Sequence, residues 1–207
     1  TGVQTCALPI YFKELLNDIN FSSTNFFIDE AFIDFIRNGE DLSFKHFESD
    51  RVIIIRAFTK FFGIPGLRLG YSICYNKKWV STANNLKEPW TINTFAASCG
   101  EILLNSNKYI EKTYKTLEKE KNRMLNGLKK IENIQVFKSE SNFLLIKLME
   151  ISGTELYNKL LEKGFLIRRC ENFNFLDDSY VRIAIKDKKS NKNFIKAINK
   201  ITKNRNV

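Results

Sequence analysis

Three short segments of the 207-residue chain bring together residue types capable of covalent and ionic chemistry. The first is Asp29-Glu30-Ala31-Phe32-Ile33-Asp34-Phe35, an acidic pair placed just after the apolar run Phe26-Phe27-Ile28. The second runs from Arg56 through Thr59 and Lys60 to Arg68 and Tyr71, across Gly63, Pro65 and Gly66. A primary amine such as that of Lys60 can condense with an aldehyde. A guanidinium and a hydroxyl, here Arg68 and Thr59, suit a phosphate ester. Most lysines are solvated surface groups, but Lys60 sits between Phe58 and Phe61-Phe62, an unusual setting for one. The third segment is Gly164-Phe165-Leu166-Ile167-Arg168-Arg169-Cys170, followed by Tyr180-Val181-Arg182-Ile183-Ala184. Arg182 interrupts an otherwise apolar strand pattern, where a guanidinium needs an anionic partner or an exit to solvent. Each feature also has a plainer reading. An acidic residue after a strand often caps a helix, and an edge-strand arginine can simply face water.

These residues must be held by regular elements, and the pattern predicts which. Phe26-Phe27-Ile28 and Val52-Ile53-Ile54-Ile55 read as short buried strands, the second β-branched enough to suit a parallel sheet. Glycine and proline punctuate a loop after Lys60, and Leu69 to Cys74 reads as a third strand. In open α/β sheets ligands bind beyond the carboxyl ends of strands, which is where Asp29 and Lys60 fall. Trp79–Leu86 and Thr94–Leu104 read as helices. Asn107–Lys130 is a long one-sided helix, with apolar residues at Ile110, Tyr114, Leu117, Met124, Leu125 and Leu128. Beyond it the texture changes to short strands at Ile134–Phe137, Phe143–Leu148, Phe165–Arg168 and Tyr180–Ile185. These alternate with helices at Thr154–Lys163, capped near Ser152 or Thr154, and Ser190–Ile201. That alternation predicts a small α/β domain.

Composition narrows the function classes. The formal net charge is +10, but the lysines are spread along the chain and mixed with glutamates, as in Lys108 to Arg123. A solvated helix face gives that pattern, and no aromatic-and-basic repeat points to nucleic acid. The excess charge suits small anionic, phosphorylated molecules. One histidine, His46, and four scattered cysteines, Cys6, Cys74, Cys99 and Cys170, match no zinc or redox spacing, so no protein-held metal is expected. No apolar run is long enough for a membrane span, and a reducing cytoplasm is the expected compartment. Residues 1–10, TGVQTCALPI, read as the translation of the sequencing-adapter sequence ACTGGAGTTCAGACGTGTGCTCTTCCGATC. They are set aside from fold reasoning, and authentic sequence is expected from about Tyr11.

In order and spacing the three segments resemble fold-type-I pyridoxal-phosphate (PLP) enzymes, in the branch holding histidinol-phosphate aminotransferase and threonine-phosphate decarboxylase. The resemblance runs from about Phe26 to Ile201. It implies an α/β fold: the rest of a three-layer, mostly parallel large domain over residues 11–108, then a long helix and small domain over 109–207. It implies that Asp29 pairs with the pyridinium nitrogen, that Lys60 binds the cofactor aldehyde, and that Thr59 and Arg68 hold its phosphate. Arg182 resembles the arginine that takes the substrate carboxylate, with Arg168 available for a second anionic end. Asn142 matches a segment lining the substrate side.

Two positions depart from the usual pattern. Ala57 stands where the family has Ser or Thr, which removes one phosphate hydroxyl. Phe32 stands where many aminotransferases carry a tyrosine bonding the cofactor's ring oxygen. In this the chain looks more like the decarboxylase branch, whose DEAFIDF and IPGLRLGY patterns it carries almost verbatim. Family members have roughly 150 more residues before the position of Asp29. The resemblance implies a homodimer when full length, because family active sites lie at a subunit interface, and a chain that is inactive by itself. The leading expectation is decarboxylation of threonine phosphate in cobalamin synthesis. The alternatives are an aminotransferase acting on histidinol phosphate, or a noncatalytic fragment or basic binding module.

Overall fold

The computed structural model describes Glu14, Asn17, Asp18 and residues 22–203; the adapter-like segment 1–10 lies outside them. The chain divides into two compact units, one ending at Ile110 and the other beginning at Glu111.

The first unit is built on three strands, β1 (Phe26–Asp29), β2 (Val52–Ala57) and β3 (Gly70–Cys74), in that spatial order. β1 runs parallel to β2, with Phe26 opposite Val52 and Asp29 opposite Ile55. β3 runs antiparallel to β2, from Ile53 opposite Cys74 to Ala57 opposite Gly70. The described part of this sheet is thus mixed. The physical reason lies in the β2–β3 connection, whose only α-helix, α1 (Phe58–Phe61), has four residues. A parallel return is usually made by a crossover helix lying across the sheet, and a single helical turn does not reach across it. Gly70 is demanded by close approach, because a Cβ there would lie 2.7 Å from the Arg56 carbonyl oxygen. Val52, Ile54 and Arg56 share the buried face of β2 by strand alternation. Phe44 closes over Val52 and Ile54, with Phe26, Ile28, Phe47 and Ile73 packed around them. Helices α2 (Lys77–Leu86) and α3 (Thr94–Leu104) follow, each started by an asparagine cap: Asn76 Oδ1 accepts from Trp79 N and Asn93 Oδ1 from Ala96 N.

Helix α4 (Asn107–Leu128) leads into the second unit, where Leu117, Met124 and Leu128 are buried along one side. Its four strands are β4 (Ile134–Val136), β5 (Phe143–Leu148), β6 (Arg168–Arg169) and β7 (Tyr180–Ala184). Their order is β4-β5-β7-β6, every pairing antiparallel. β5 is central and almost wholly apolar. Helix α5 (Gly153–Leu161) buries Leu156 and Leu160, and α6 (Lys188–Lys203) buries Phe194, Ile198 and Ile201. Of the two cap candidates for α5, Ser152 serves: its Oγ accepts from Glu155 N at 3.1 Å. Thr154 turns elsewhere, donating to Asp178 Oδ1 at 3.0 Å.

The strand expected at Phe165–Arg168 begins later. Gly164, at φ +77°, ends the helical turn, and Phe165 N bonds back to Leu160 O. Phe165 packs on Phe194 at 5.6 Å, so pairing with β7 starts only at Arg168.

Buried polar groups are paired as well. Glu120 and Asn191 are both buried, and Asn191 Nδ2 donates to Glu120 Oε2 at 3.1 Å while Arg123 Nε donates to the same oxygen at 2.9 Å. Burial opposes ionisation of Glu120, but these two donors outweigh it and hold the carboxyl below its ordinary range. Adjacent leucines on α5 test the packing. Leu160 is fully buried and Leu161 is half exposed. We expect Leu160→Ala to cost about 2–5 kcal/mol in denaturant unfolding, and Leu161→Ala to stay within about 0.5 kcal/mol.

Candidate active site

Lys60 is the third residue of α1, immediately past the carboxyl end of β2. Its aromatic neighbours anchor the backbone while the lysine side chain stays exposed. Phe61 is buried against Phe35 at 5.3 Å and meets Phe62 edge-on at 5.1 Å. Phe62 stacks on Tyr109 at 5.6 Å, and the Tyr109 hydroxyl donates to Phe61 O at 3.0 Å. Phe58 lies 5.5 Å from Tyr71 on β3. The apolar flanks noted in the sequence thus serve to fix the helix, and Lys60 Nζ is left 4.6 Å above the ring of Phe32. That cation–π contact joins two of the expected site residues.

Asp29 ends β1 as an exposed carboxylate, and its Oδ1 accepts from Ala31 N at 2.9 Å. Thr59 is half-buried, beside Lys60 on α1. Arg68 is exposed and held in the left-handed region at φ +53°, with its guanidinium reaching Pro65 O at 3.3 Å. A side-chain-bearing residue persists there only when its surroundings over-determine it, and such positions cluster at functional sites. Asn93 supplies part of that restraint by donating to Leu67 O at 3.0 Å.

Behind these groups lies a polar cluster that the motif reading passed over. Arg56 is 3% exposed on β2. Its Nε and NH2 meet Glu30 Oε2 at 3.0 and 2.9 Å, NH2 also donates to Ser43 Oγ at 2.8 Å, and NH1 pairs with Glu40. Asp34 Oδ1 stands 3.9 Å from NH1. Glu30, also buried, accepts from Phe44 N at 2.6 Å and from Ser43 Oγ at 2.9 Å. Burial opposes the Arg56 charge, yet Glu40 and Glu30 more than compensate and raise its pKa. Desolvation dominates at Asp34 and pushes its carboxyl up. At Glu40 burial acts the same way, but hydrogen bonds from Arg56 and Lys45 prevail and hold it down. The signal was present in the sequence: Arg56 shares the inward alternation of Val52 and Ile54, so it too needed an anionic partner.

The expected substrate-side residues gather in the second unit. Arg168 on β6 stands directly opposite Arg182 on β7. Arg182 lies 4.7 Å from the centre of the Phe143 ring, a diagonal neighbour on β5. Asn142 precedes Phe143; its carbonyl accepts from Ile185 N at 2.8 Å and its Oδ1 from Ser141 Oγ at 3.2 Å. Arg168 donates to Asn172 Oδ1 at 3.0 Å. Among the described residues neither Arg168 nor Arg182 forms an ion pair with a carboxylate. Buried Cys170 sits beside them, its thiol pushed up by burial despite the nearby Arg182 and Arg168. Among the described residues no cluster of His, Cys, Asp and Glu could hold a metal ion, and no helix is long and apolar enough to cross a membrane.

Comparison with known proteins decides the family. The model of aminotransferases class I and II matches residues 12–198. The chain belongs to this family. It is 31% identical over 177 residues to threonine-phosphate decarboxylase of Salmonella typhimurium, covering 86% of this chain and 48% of that protein. It is 32% identical over 183 residues to histidinol-phosphate aminotransferase of Methanocaldococcus jannaschii, covering 88% and 49% respectively. The crystal structure of the histidinol-phosphate aminotransferase from Clostridium acetobutylicum matches with a TM-score of 0.86 at 39% identity, over 94% of this chain and 58% of that one. The chain therefore spans about half the length of the curated relatives it matches. The fold is that of fold-type-I PLP enzymes, and a solved histidinol-phosphate aminotransferase of the same fold, from Sinorhizobium meliloti, holds pyridoxal-5'-phosphate.

Glu40 makes the cluster behind Lys60 testable. A carboxyl whose folded pKa is depressed stabilises the fold above its unfolded value and ceases to do so as pH falls through the folded value. We expect the wild-type melting temperature to fall as pH drops below the ordinary glutamate value of 4.5, more steeply than in Glu40→Gln. Parallel slopes in thermal melts between about pH 5 and 3 would remove Glu40 from the account.

Proposed function

We propose that the intact enzyme decarboxylates L-threonine O-3-phosphate to aminopropanol phosphate, a step in cobalamin synthesis, with Lys60 as the cofactor-binding lysine. The observation that carries this reading is the amine of Lys60 poised over Phe32, at the position where many aminotransferases place a tyrosine. The donor set fits the cofactor chemically. Asp29 offers a carboxylate to the pyridinium nitrogen, Lys60 a primary amine to the aldehyde, and Thr59 and Arg68 a hydroxyl and a cation to the phosphate. When bound, the cofactor supplies an electron sink for the bond that breaks at the substrate's Cα.

The chain's own residues do the rest. Lys60 Nζ moves a proton at Cα. Arg168 and Arg182 bind the two anionic ends of a phosphorylated amino acid, with Asn142 lining the same side. Arginines that hold both anionic ends of such a substrate would select which bond at its Cα breaks, and so favour decarboxylation over transamination. Two opposed guanidiniums without a carboxylate partner are the arrangement such a dianion would neutralise. An aminotransferase acting on histidinol phosphate is the second reading, favoured by the 39% identity to the Clostridium acetobutylicum structure. We further propose that the intact enzyme is a homodimer and that this chain alone is inactive. Phe27, Ile55 and Phe95 leave apolar surface uncovered, and the chain covers half of its relatives.

Borohydride reduction of the intact enzyme should fix the cofactor on the peptide containing Lys60; label on another lysine would overturn the assignment. Lys60→Ala should abolish the visible absorbance of the lysine-bound cofactor, and Lys77→Ala should retain it. Supplied with threonine phosphate, the enzyme should release carbon dioxide and aminopropanol phosphate. Glutamate formed from histidinol phosphate and 2-oxoglutarate, with no carbon dioxide from threonine phosphate, would establish the second reading instead. Arg182→Leu should lower kcat/KM for threonine phosphate about 10²-fold, as expected for loss of a charge-paired contact worth ~3 kcal/mol.

A further inference from the structure

The cluster around Arg56 joins segments that the proposed chemistry needs in register. Glu30 closes β1 next to Asp29, and Arg56 lies on β2 four residues before Lys60. Strand alternation sends Glu30 inward and Asp29 outward. A slip of one residue at this strand end would bury Asp29 and expose Glu30. The pairing of Glu30 with Arg56 at 2.9 Å opposes that slip. It acts together with the ladder bond from Glu30 N to Ile55 O at 2.8 Å.

Stability alone does not call for this arrangement, because well-packed apolar side chains often replace a buried ion pair at no loss. What an apolar substitute lacks is direction. The planar guanidinium of Arg56 holds three partners in three fixed directions: Glu30, Ser43 and Glu40. A lysine keeps the charge but loses the fork.

We infer that Arg56 is a positioning residue, which acts through Glu30 to set Asp29 and through β2 to set Lys60, so that the carboxylate and the amine meet the cofactor together. This rests on the proposed role of Lys60. Groups so placed lose about 10²-fold in rate for a displacement near 1 Å.

The test uses the intact holoenzyme, with borohydride mapping of wild type as the first step. Label away from Lys60 would defeat the functional reading itself. With label on Lys60, Arg56→Gln should lower kcat about 10²-fold while substrate KM stays within about threefold, and should shift the pH midpoint of the visible cofactor absorbance. Arg56→Lys should recover part of kcat. Glu40→Gln, which removes only the half-exposed arm of the cluster, should give a smaller loss of kcat and a smaller shift of the midpoint, in the same direction. If Arg56→Gln does not fold, Arg56→Lys and Glu40→Gln decide. Wild-type kcat and a wild-type absorbance midpoint in folded Arg56→Lys overturn the inference. So does a change confined to melting temperature.

Discussion

The buried contact between Arg56 and Glu30 ties the carboxyl ends of two parallel strands, and the groups proposed for catalysis stand on either side of it. Removing one member would leave the other charged and buried, a loss of about 3–5 kcal/mol in comparable pairs. The cluster holds together because each charge meets several donors or acceptors: two carboxylates and a hydroxyl for Arg56, and a backbone amide, a hydroxyl and the guanidinium for Glu30. Among the described residues no buried side-chain nitrogen or oxygen lacks a partner. A network so completely paired in a poorly polarisable setting holds one geometry rather than several.

Around that anchor the apolar residues do a second task. Phe35, Phe61, Phe62 and Tyr109 form an aromatic floor under α1, which keeps a four-residue helix in place despite its length. Such a helix has too few internal hydrogen bonds to persist by itself. Packing therefore decides its existence, and with it the position of Lys60. The Arg68 turn is held in a comparable way. Its left-handed backbone is braced by the Asn93 bond to Leu67 O, and β3 begins at Gly70 because only glycine fits against the Arg56 carbonyl.

The second unit spends its polar residues differently. Arg168 and Arg182 face each other across the β6–β7 ladder, a pairing that like charges disfavour. Stacking of Arg182 on Phe143 and the bond from Arg168 to Asn172 hold these side chains without neutralising them. Charge left unmatched in this way is stabilised by an anionic ligand, consistent with the phosphorylated amino acid proposed as substrate. Glu120 and Asn191 show the contrasting use of polarity: Asn191 ties α6 to Glu120 on α4 and also bonds the Lys186 backbone that leads into α6.

What depends on neighbours a few positions away was legible in the residues alone. The β-branched strand at Val52–Ile55, the long helix from Asn107, a helix cap near Ser152 or Thr154 and the glycine stop at Gly164 all follow from local sterics and hydrogen bonding. The Lys60–Arg68 spacing and the DEAFIDF pattern were enough to point to the family that comparison then established. Tertiary structure decided what depends on register and loop length. It paired Arg56 with Glu30, 26 positions apart, and set Lys60 over Phe32. It turned β3 antiparallel and delayed β6 until Arg168 stood opposite Arg182. Composition cannot report these contacts, because the same residues in another register would present the opposite faces. Register is chosen by the collective burial of a whole sheet, not by any one segment.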